Sequence, residues 1–442
     1  MAERFHSVRL DADKCKGCIN CIKRCPTEAI RVRNGKAQII SERCIDCGEC
    51  IRVCPHHAKQ PVYDALAAMD TFRYKVALPA PSLYAQFQRL DDVEIVLHAL
   101  LLLGFDDVFE VSAAAEMISE YTRELLAEGS LQRPVISSAC PAVVRLICVR
   151  FPELIQNLLP MKAPVEVAAT IARKRMVEKY GCKPSEVGVV FISPCAAKNT
   201  ATKAPLGVDK TDIDLVVAIK DIYPRLLPLM KVASEQEMAE ELALSGRIGL
   251  SWANSGGESA GTFLENYLAA DGPENVIQVL EGLEDEKFSD VDFVELNMCS
   301  GGCVGGVLTV ENPYVAKARL KHLRKYRPVA VSHAEENGLE KARWEKEVAY
   351  NPALKLAENM EEAMRRMAAM NGIAEHLPGL DCGSCGAPSC RALAEDIVRG
   401  TASEGDCIFR LREHMYNLAQ ELSRFEGYIP PPFRAYEKEE KL

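Results

Sequence analysis

The chain lacks the features that mark membrane-spanning, secreted or nucleic-acid-binding proteins. Its longest apolar run, residues 95–105, contains His98 and is too short to cross a bilayer, so we interpret it as a core helix. No basic segment followed by an apolar stretch is present at the N-terminus, so no secretory signal is predicted and a cytoplasmic location is expected. The net charge of −10 argues against nucleic acid as a partner, because a surface that follows phosphates needs concentrated Lys and Arg.

Disulfide bonds are not expected either, although the chain has 18 cysteines. Without a secretory signal the thiols should stay reduced, and reduced thiols at short spacings are typical metal ligands. Eight cysteines lie in residues 1–63, six in 72–370 and four in 375–442. These ranges are the three predicted domains, in agreement with the length of the chain.

The middle range alternates short β-branched runs with helical patterns, which predicts an α/β fold with mostly parallel strands. Strands are predicted at residues 74–78, 188–192, 214–219, 248–252 and 291–296, with helices such as 164–180 and 235–244 between them. Cys140, Cys195 and Cys299 fall near the ends of such runs, where open α/β sheets usually place their ligands.

The N-terminal range contains one cysteine motif twice. Cys15-x2-Cys18-x2-Cys21-x3-Cys25-Pro26 recurs as Cys44-x2-Cys47-x2-Cys50-x3-Cys54-Pro55. At this spacing one loop gives three thiolates to a [4Fe-4S] cubane, and the fourth reaches the other cubane. The first cluster is therefore assigned to Cys15, Cys18, Cys21 and Cys54, and the second to Cys44, Cys47, Cys50 and Cys25. The range resembles bacterial two-cluster ferredoxins, which implies a ferredoxin-like fold that transfers electrons; a pair of zinc knuckles is the alternative.

The C-terminal range has four cysteines, Cys382, Cys385, Cys390 and Cys407, in the pattern Cys-x2-Cys-x4-Cys-x16-Cys. It resembles the small helical iron–sulfur module of corrinoid iron–sulfur proteins and redox-complex subunits. A structural zinc site is the alternative, because sulfur ligands alone do not separate zinc from an iron–sulfur cluster. Residues 408–425 carry apolar side chains at helical spacing, so this helix is predicted either to pack on its own domain or to pair with a second chain as a homodimer.

Residues 295–306 hold the motif that bears most directly on chemistry. Cys299 and Cys303 are embedded in glycines there, which suits a metal cluster, but two thiolates do not complete an iron or zinc site. Isolated partners lie in Ser138-Ala139-Cys140-Pro141 and Ser193-Pro194-Cys195-Ala196-Ala197-Lys198. The four cysteines come from distant segments, as when a folded core holds a buried cluster.

In order and context, these three motifs resemble the cluster-binding motifs of the [FeFe]-hydrogenases. Further similarity lies in Ala80-Pro81-Ser82 and in residues 104–110, 151–154 and 162–164, and it covers residues 72–312 as a whole. The resemblance implies an H-cluster, which is a [4Fe-4S] cubane on the four cysteines joined to a diiron unit with CO, cyanide and an azadithiolate.

The resemblance also implies roles for single residues. Cys303 would bridge the cubane to the diiron unit, and Lys198 would hold a cyanide, for which a compact ammonium group is a suitable donor. Ser82 and Pro81 would line the pocket near the dithiolate and the other cyanide. Ala139 stands where productive members have a cysteine that relays protons, and a methyl group cannot carry a proton. Turnover is therefore expected to be slow.

Other differences from productive members agree with a remodelled pocket. They are Val143, Ser193, Asn297 and Ser300, together with a shortened glycine tail after Cys303. They are similar to the putatively sensory [FeFe]-hydrogenases, in which the same four-cysteine module follows the H-cluster domain. Glu116, Glu120 and Glu124 share one helical face but are out of register with the relay glutamates of the family, so no proton path is assigned to them.

We therefore expect an H2-binding, slowly catalytic hydrogenase that acts as a sensor or low-flux redox subunit. H2 and protons would be its substrates, and electrons would pass through the [4Fe-4S] clusters to a redox partner such as ferredoxin. Dedicated maturation proteins would load the diiron unit, and a separate signalling partner would receive the output.

Two other functions fit the motifs less well. A non-catalytic assembly or scaffold protein, similar to the hydrogenase-like nuclear prelamin A recognition factor family, would have no cyanide for Lys198 to hold. A productive ferredoxin-coupled or bifurcating hydrogenase subunit is disfavoured by Ala139.

Overall fold

A computed structural model describes residues 5–235, 241–336, 338–424 and 428. Contacts divide the chain into two compact units. The first contains the chain up to Lys16, Arg24–Ala29 and Ile39–Leu354, and the second contains Gly17–Lys23, Ile30–Gln38 and the chain from Lys355 onward. Both units thus combine segments that are distant in sequence, and the three domain ranges inferred from cysteine density remain a prediction.

The strands are mostly short and mostly parallel. In chain order they are β1 (Val8–Leu10), β2 (Ile30–Arg33), β3 (Lys36–Ile39), β4 (Lys59–Pro61), β5 (Tyr74–Pro79), β6 (Asp107–Val108), β7 (Val135–Ile136), β8 (Val187–Ser193), β9 (Leu215–Ala218), β10 (Tyr267–Asp271) and β11 (Phe293–Asn297). The first unit has a parallel sheet in the order β6-β5-β8-β9 and another in the order β10-β11-β7. β1 pairs antiparallel with β4, and β2 pairs with β3.

Helices make up most of the remaining regular structure. They are α1 (Asn20–Lys23), α2 (Glu49–Arg52), α3 (Glu94–Leu103), α4 (Val111–Ala127), α5 (Pro141–Arg150), α6 (Pro164–Tyr180), α7 (Ala196–Lys203), α8 (Ile219–Glu235), α9 (Arg247–Ser251), α10 (Gly257–Thr262), α11 (Pro273–Glu284), α12 (Pro313–Leu323), α13 (Gly338–Ala342), α14 (Met360–His376), α15 (Cys390–Val398) and α16 (Ile408–Arg424). Short 3-10 helices cover Leu66–Thr71, Tyr84–Gln86, Pro152–Asn157, Pro184–Glu186, Cys303–Gly305 and Glu404–Asp406. Every helix in the described part of the chain is too short or too polar to traverse a lipid bilayer.

The predicted α/β fold of the middle range is confirmed. Every residue of the central strand β8 is buried, which is typical of a parallel strand covered by helices on both faces. The predicted helix at residues 164–180 is also confirmed as α6, which has Pro164 in its first turn and Gly181 in the left-handed conformation after its last. Residues 95–103 of the apolar run lie in the core helix α3, which ends before Gly104.

Two of the sequence-based elements differ in the structure. Residues 248–252 were predicted to form a strand, but Arg247–Ser251 is the helix α9. The backbone N–H groups of Gly246 and Gly249 both donate to Glu116 Oε1, at 2.8 and 3.1 Å, so a remote carboxylate stabilises this turn. A short apolar run does not distinguish strand from helix by its periodicity, and here the tertiary contact decides.

The predicted helix at residues 235–244 is also wrong over its last four residues. Glu235 is the last described residue of α8, residues 236–240 lie outside the described residues, and residues 241–244 are not helical. Leu242 N and Ala243 N donate to Glu94 Oε1 at 3.0 and 2.7 Å. Leu244 N donates to Glu110 Oε2 at 2.6 Å. These buried carboxylates take the backbone donors that a helix would have used.

The second unit has a small apolar core, formed mainly by α14 and α15 around Met370, Leu393 and Cys407. The buried Asp396 carboxylate accepts from Arg31 Nε at 2.7 Å and from Arg33 at 2.6 Å, and it thereby connects β2 to α15. The predicted helix at 408–425 is confirmed as α16, although Phe425 lies outside the described residues. No described residue of α16 is buried.

Candidate metal centre

One cavity of the first unit brings together every site residue predicted in the middle range. Four parallel strands, β5, β7, β8 and β11, are followed by the loops that line it, as expected for ligands outside the carboxyl ends of such strands. The predicted residues in its wall are Pro81, Ser82, Ala139, Cys140, Cys195, Lys198, Cys299 and Cys303.

Two of the cysteines sit at the beginning of helices. Cys140 directly precedes α5, and its carbonyl oxygen accepts from the N–H groups of Val143 and Val144 at 3.0 and 3.1 Å. Cys195 has the same position before α7. The N-terminal end of a helix carries partial positive charge, so both positions favour an anionic sulfur.

Glycines are required around Cys303 because the backbone of other chain segments lies very close to this loop. Gly302 has a φ of 89°, and a Cβ on it would lie 2.5 Å from Ser255 N. A Cβ on Gly306 would lie 2.1 Å from Pro194 O, in the loop that carries Cys195. No side chain fits at either position, so the two cysteine loops can pack directly on each other.

The donor set fits a metal cluster. Burial raises the pKa of Cys140 and Cys195, and it raises the pKa of Cys299 to about 11. Repulsion among the cysteine sulfurs acts in the same direction at each of them. Neighbouring thiols whose ionised forms are disfavoured in this way are stabilised together when iron or another soft metal accepts their charge.

Lys198 and Ser82 add polar groups that have no hydrogen-bond partner among the described residues. Burial opposes the charge of Lys198, yet the sulfurs of Cys303, Cys195 and Cys140 together raise its pKa. The ring of Phe191 lies 5.9 Å from Lys198 Nζ, and among the described residues no hydrogen bond of this amine is found. Ser82 is fully buried, and its Oγ has no hydrogen-bond partner in the described structure. Both groups fit a bound species with acceptor atoms, since unpaired buried donors are costly.

A buried carboxylate in the cavity wall was missed by the sequence analysis. Glu258 Oε2 accepts from Ser137 Oγ at 2.6 Å, and Ser137 Oγ accepts from the backbone N–H of Ala139 at 3.2 Å. Burial, followed by repulsion from the Glu295 carboxylate, raises the pKa of Glu258 to about 8. The contact between Ser137 and Glu258 joins residues 121 positions apart, so local sequence gave no sign of it.

Two of the remodelled positions have structural roles around the cysteines. Ser193 Oγ accepts from Cys195 N at 3.1 Å and shapes the turn that presents this cysteine. Asn297 lines the cavity, and its Nδ2 donates to Glu295 Oε1 at 2.9 Å. Glu295 also accepts from Gly256 N and Ser259 N, which connects β11 to the start of α10.

The cysteines predicted to hold the second ferredoxin-type cluster also lie together in the first unit. Burial raises the pKa of Cys47 well above its usual range, and the sulfurs of Cys25, Cys50 and Cys44 each add to this effect. Of the other predicted set, Cys15 and Cys54 belong to the first unit, and Cys18 and Cys21 belong to the second.

In the second unit, the C-terminal cysteines are close enough to influence one another. Burial raises the pKa of Cys385, and Cys382 and Cys407 act in the same direction. Cys390 begins α15, and its backbone N–H donates to Asp381 Oδ1 at 2.6 Å. The donor set is again all sulfur, which suits either an iron–sulfur cluster or zinc.

Comparison with known families identifies the chain. The family described as iron only hydrogenase large subunit, C-terminal domain, matches residues 73–264 and 229–307, which together span more than half of the sequence. The chain belongs to this hydrogenase family. A 4Fe-4S dicluster domain matches residues 7–55, and a putative Fe-S cluster module matches residues 377–409. The predicted family and its iron–sulfur character are therefore confirmed.

Curated relatives include both hydrogenases and assembly factors. Iron hydrogenase 1 of Clostridium pasteurianum is 26% identical over 377 residues, which cover 69% of this chain and 65% of that protein. The periplasmic [Fe] hydrogenase large subunit of Nitratidesulfovibrio vulgaris is 28% identical over 44% of this chain and 51% of its own length. The cytosolic Fe-S cluster assembly factor NAR1 of Yarrowia lipolytica is 28% identical over 39% of this chain and 38% of its own length. The chain thus spans less than two thirds of the length of these relatives.

Solved structures of [FeFe]-hydrogenases are also similar. One that reports stepwise H-cluster assembly has a TM-score of 0.48 at 16% identity, and it covers 63% of this chain and 94% of that one. A hydrogenase from Chlamydomonas reinhardtii has a TM-score of 0.45 at 17% identity, with the same coverage.

Proposed function

We propose that this hydrogenase-family protein binds H2 at an H-cluster and converts it slowly, as a sensor or a low-flux redox subunit. The observation that carries the proposal is the cavity wall, in which four cysteines occur together with Lys198 and Ser82 and with a methyl group at Ala139. The four cysteines alone would be sufficient to bind a [4Fe-4S] cubane without a diiron unit. The two unpaired polar groups argue for a larger occupant that accepts hydrogen bonds.

The chain's own residues would bind and orient this occupant. Cys140, Cys195, Cys299 and Cys303 would hold the cubane, with Cys303 as the bridge to the diiron unit. Lys198 Nζ would donate to a cyanide, and Ser82 Oγ and the Pro81 backbone would enclose the dithiolate side. When bound, the diiron unit would supply the heterolytic cleavage of H2.

Proton movement would depend on Glu258 in the absence of a thiol at Ala139. The Glu258 carboxyl lines the cavity, and its raised pKa allows it to hold a proton near neutral pH. Ser137 fixes its orientation through the 2.6 Å hydrogen bond. A single carboxyl at the cavity wall would replace the missing relay less efficiently, which agrees with slow turnover.

Electrons would travel through the [4Fe-4S] clusters of the ferredoxin-type cysteines or of the C-terminal module. A redox partner such as ferredoxin would exchange them, dedicated maturation proteins would supply the diiron unit, and a separate partner would receive a sensory output. A cytoplasmic site of action suits such partners.

Loading the full-length protein with a synthetic diiron complex tests the proposal. Infrared spectra should then show terminal CO and cyanide bands, and H2 oxidation should be measurable but slow. A Lys198→Met variant should shift the cyanide bands, whereas Lys203→Met, at the other end of α7, should leave them unchanged. Absence of both bands and activity in the loaded protein would overturn the proposal.

An assembly-factor function is the second candidate, because the NAR1 proteins match at an identity similar to that of the hydrogenases. The same experiment separates the two. An assembly factor would carry a cubane on the four cysteines, and it would give no CO or cyanide bands after loading.

A further inference from the structure

Arg52 connects the ferredoxin-type cysteines to the loop that carries Cys299 and Cys303. It is the last residue of α2 and lies between Cys50 and Cys54 in sequence. Its guanidinium donates to Gly305 O at 2.6 Å, across 253 positions of sequence. The two loops also approach closely at Gly48, where a Cβ would lie 2.7 Å from the Val307 side chain. Arg52 therefore sits where the two cysteine-bearing loops meet.

The hydrogen bond to Gly305 places the charge of Arg52 beside the loop of the cubane ligands. Gly305 follows Cys303 by two residues and Cys299 by six. The guanidinium is permanently charged, so this contact brings a fixed cation next to that loop.

The position of Arg52 is fixed by a buried carboxylate. Glu49, on the same helix, is 3% exposed and pairs with Arg52 on one oxygen. Its other oxygen lies 3.4 Å from the guanidinium of Arg24, which directly precedes Cys25. Glu49 therefore holds Arg52 toward the Cys299 loop, and a free surface arginine would not be restrained in this way.

We propose that Arg52 is a positioning residue that raises the reduction potential of the cubane held by Cys299. A positive charge close to a cluster stabilises its more negative, reduced form. The step concerned is the transfer of one electron from the reduced cluster on Cys25, Cys44, Cys47 and Cys50 to the oxidised cubane, without a change in protons or bonds. Arg52 makes this step more favourable.

The inference rests on the proposed cubane and not on the diiron unit, so it is tested in the full-length protein reconstituted with iron and sulfide alone. A redox titration followed by electron paramagnetic resonance gives the midpoint potential of each cluster. The signal of the cubane is the one that disappears in a Cys195→Ala variant. Its potential should shift to more negative values in Arg52→Gln, and Arg52→Lys should shift it less, because the charge is kept while the planar donor is lost.

Arg327→Gln is the matched control. Arg327 also donates to a backbone carbonyl, Ser245 O at 3.2 Å, and pairs with a carboxylate, Asp92 at 3.1 Å, but it contacts no cysteine. This variant should leave the potential of the cubane unchanged. Equal potentials in wild type, Arg52→Gln and Arg52→Lys would overturn the inference while the proposed function stands. If no signal depends on Cys195, the site holds no cubane, and both the inference and the proposed function fail.

Discussion

At the scale of single residues, the proposed proton transfer would be limited most directly at Ala139. It lies in the wall of the cavity, and its side chain has no group that can carry a proton. In the loaded protein we expect Ala139→Cys to raise H2 turnover by about 100-fold, the low end of what general acid–base assistance contributes. Ala139→Ser is the matched control, because it adds a group of similar size whose pKa is too high for the relay. If the cysteine variant keeps the wild-type rate with intact CO and cyanide bands, the pocket as a whole limits turnover.

Glu258 should make stability depend on pH. Its pKa is raised from 4.5 in the unfolded reference to about 8 in the folded protein, so the folded state holds more protons between these values. Stability should therefore fall as the pH rises from about 4.5 to 8. The difference between urea midpoints at pH 5 and pH 8 should be smaller in Glu258→Gln than in wild type, and Glu258→Asp should retain part of it. An unchanged difference in Glu258→Gln would show that this carboxyl does not titrate in that range.

The sequence was sufficient to predict which cysteines, and which lysine, meet at the cavity, because their motifs resemble those of a known family. Glu258 and Arg52 were not predicted. Their roles come from contacts with Ser137 and Gly305, 121 and 253 positions away, and neither residue stands in a recognisable pattern. The metal ligands stand in motifs that can be recognised in the sequence, whereas the groups that tune them are specified by the packing of remote segments.

At the scale of secondary structure, α4 shows how a buried acid can be structural. Glu116 accepts four backbone N–H groups, from Gly246, Gly249, Val331 and Ser332, at 2.8 to 3.1 Å. It thereby holds two separate chain segments against α4. Glu116 is assigned no proton path, and its structural role agrees with that.

Glu116→Gln should lower the free energy of unfolding by about 2–5 kcal/mol, because its amide group would leave two of the buried donors without an acceptor. Chemical denaturation measures the loss. Glu124→Gln on the same helix is the control, since Glu124 is exposed and its removal should change stability by less than about 0.5 kcal/mol. Similar stabilities of the two variants would show that the four hydrogen bonds contribute little.

α16 has a stripe of exposed apolar residues, of which Met415 is 62% and Leu422 is 71% exposed. The stripe consists of Ile408, Leu411, Met415, Leu418 and Leu422, in the alternating spacing of three and four that pairs helices in coiled coils. In an antiparallel pair centred between Met415 and Leu418, His414 and Glu421 would meet across the interface, where the imidazole can donate a hydrogen bond to the carboxylate. We propose a second copy of this chain as the partner.

Leu418→Glu should therefore convert a dimer into a monomer in sedimentation equilibrium. Asn417→Glu adds the same charge one position away, outside the stripe, and should leave the dimer intact. A wild-type protein that is monomeric at micromolar concentration would rule out the second copy.

The elements that the sequence predicted well are those with a strong local pattern, such as the all-apolar β8 and the proline-to-glycine span of α6. The predictions at 248–252 and 241–244 were wrong for a shared reason. In both segments buried carboxylates of Glu94, Glu110 and Glu116 accept the backbone N–H groups, and a remote side chain therefore decides the local conformation.

At the scale of the whole molecule, metal content distinguishes the two possibilities for the C-terminal module. Four cubanes would give about 16 iron atoms per chain and no zinc. Elemental analysis of protein isolated without oxygen should find this ratio, and Cys407→Ser should remove about four iron atoms from it. About 12 iron atoms with one zinc per chain, where the zinc is lost in Cys407→Ser, would assign zinc to the module instead.

The pairing of Asp396 with Arg31 and Arg33 has a consequence for the order of folding during synthesis. Asp396 is translated 365 residues after Arg31, which at ordinary rates of synthesis is a delay of about 20–70 s. During that interval the strand β2 is made but the carboxylate that binds its arginines does not yet exist. The segments Gly17–Lys23 and Ile30–Gln38, which belong to the second unit, are therefore completed last although they are synthesised first. Cys18 and Cys21 lie in one of these segments, so their surroundings are finished only after Asp396 has been synthesised.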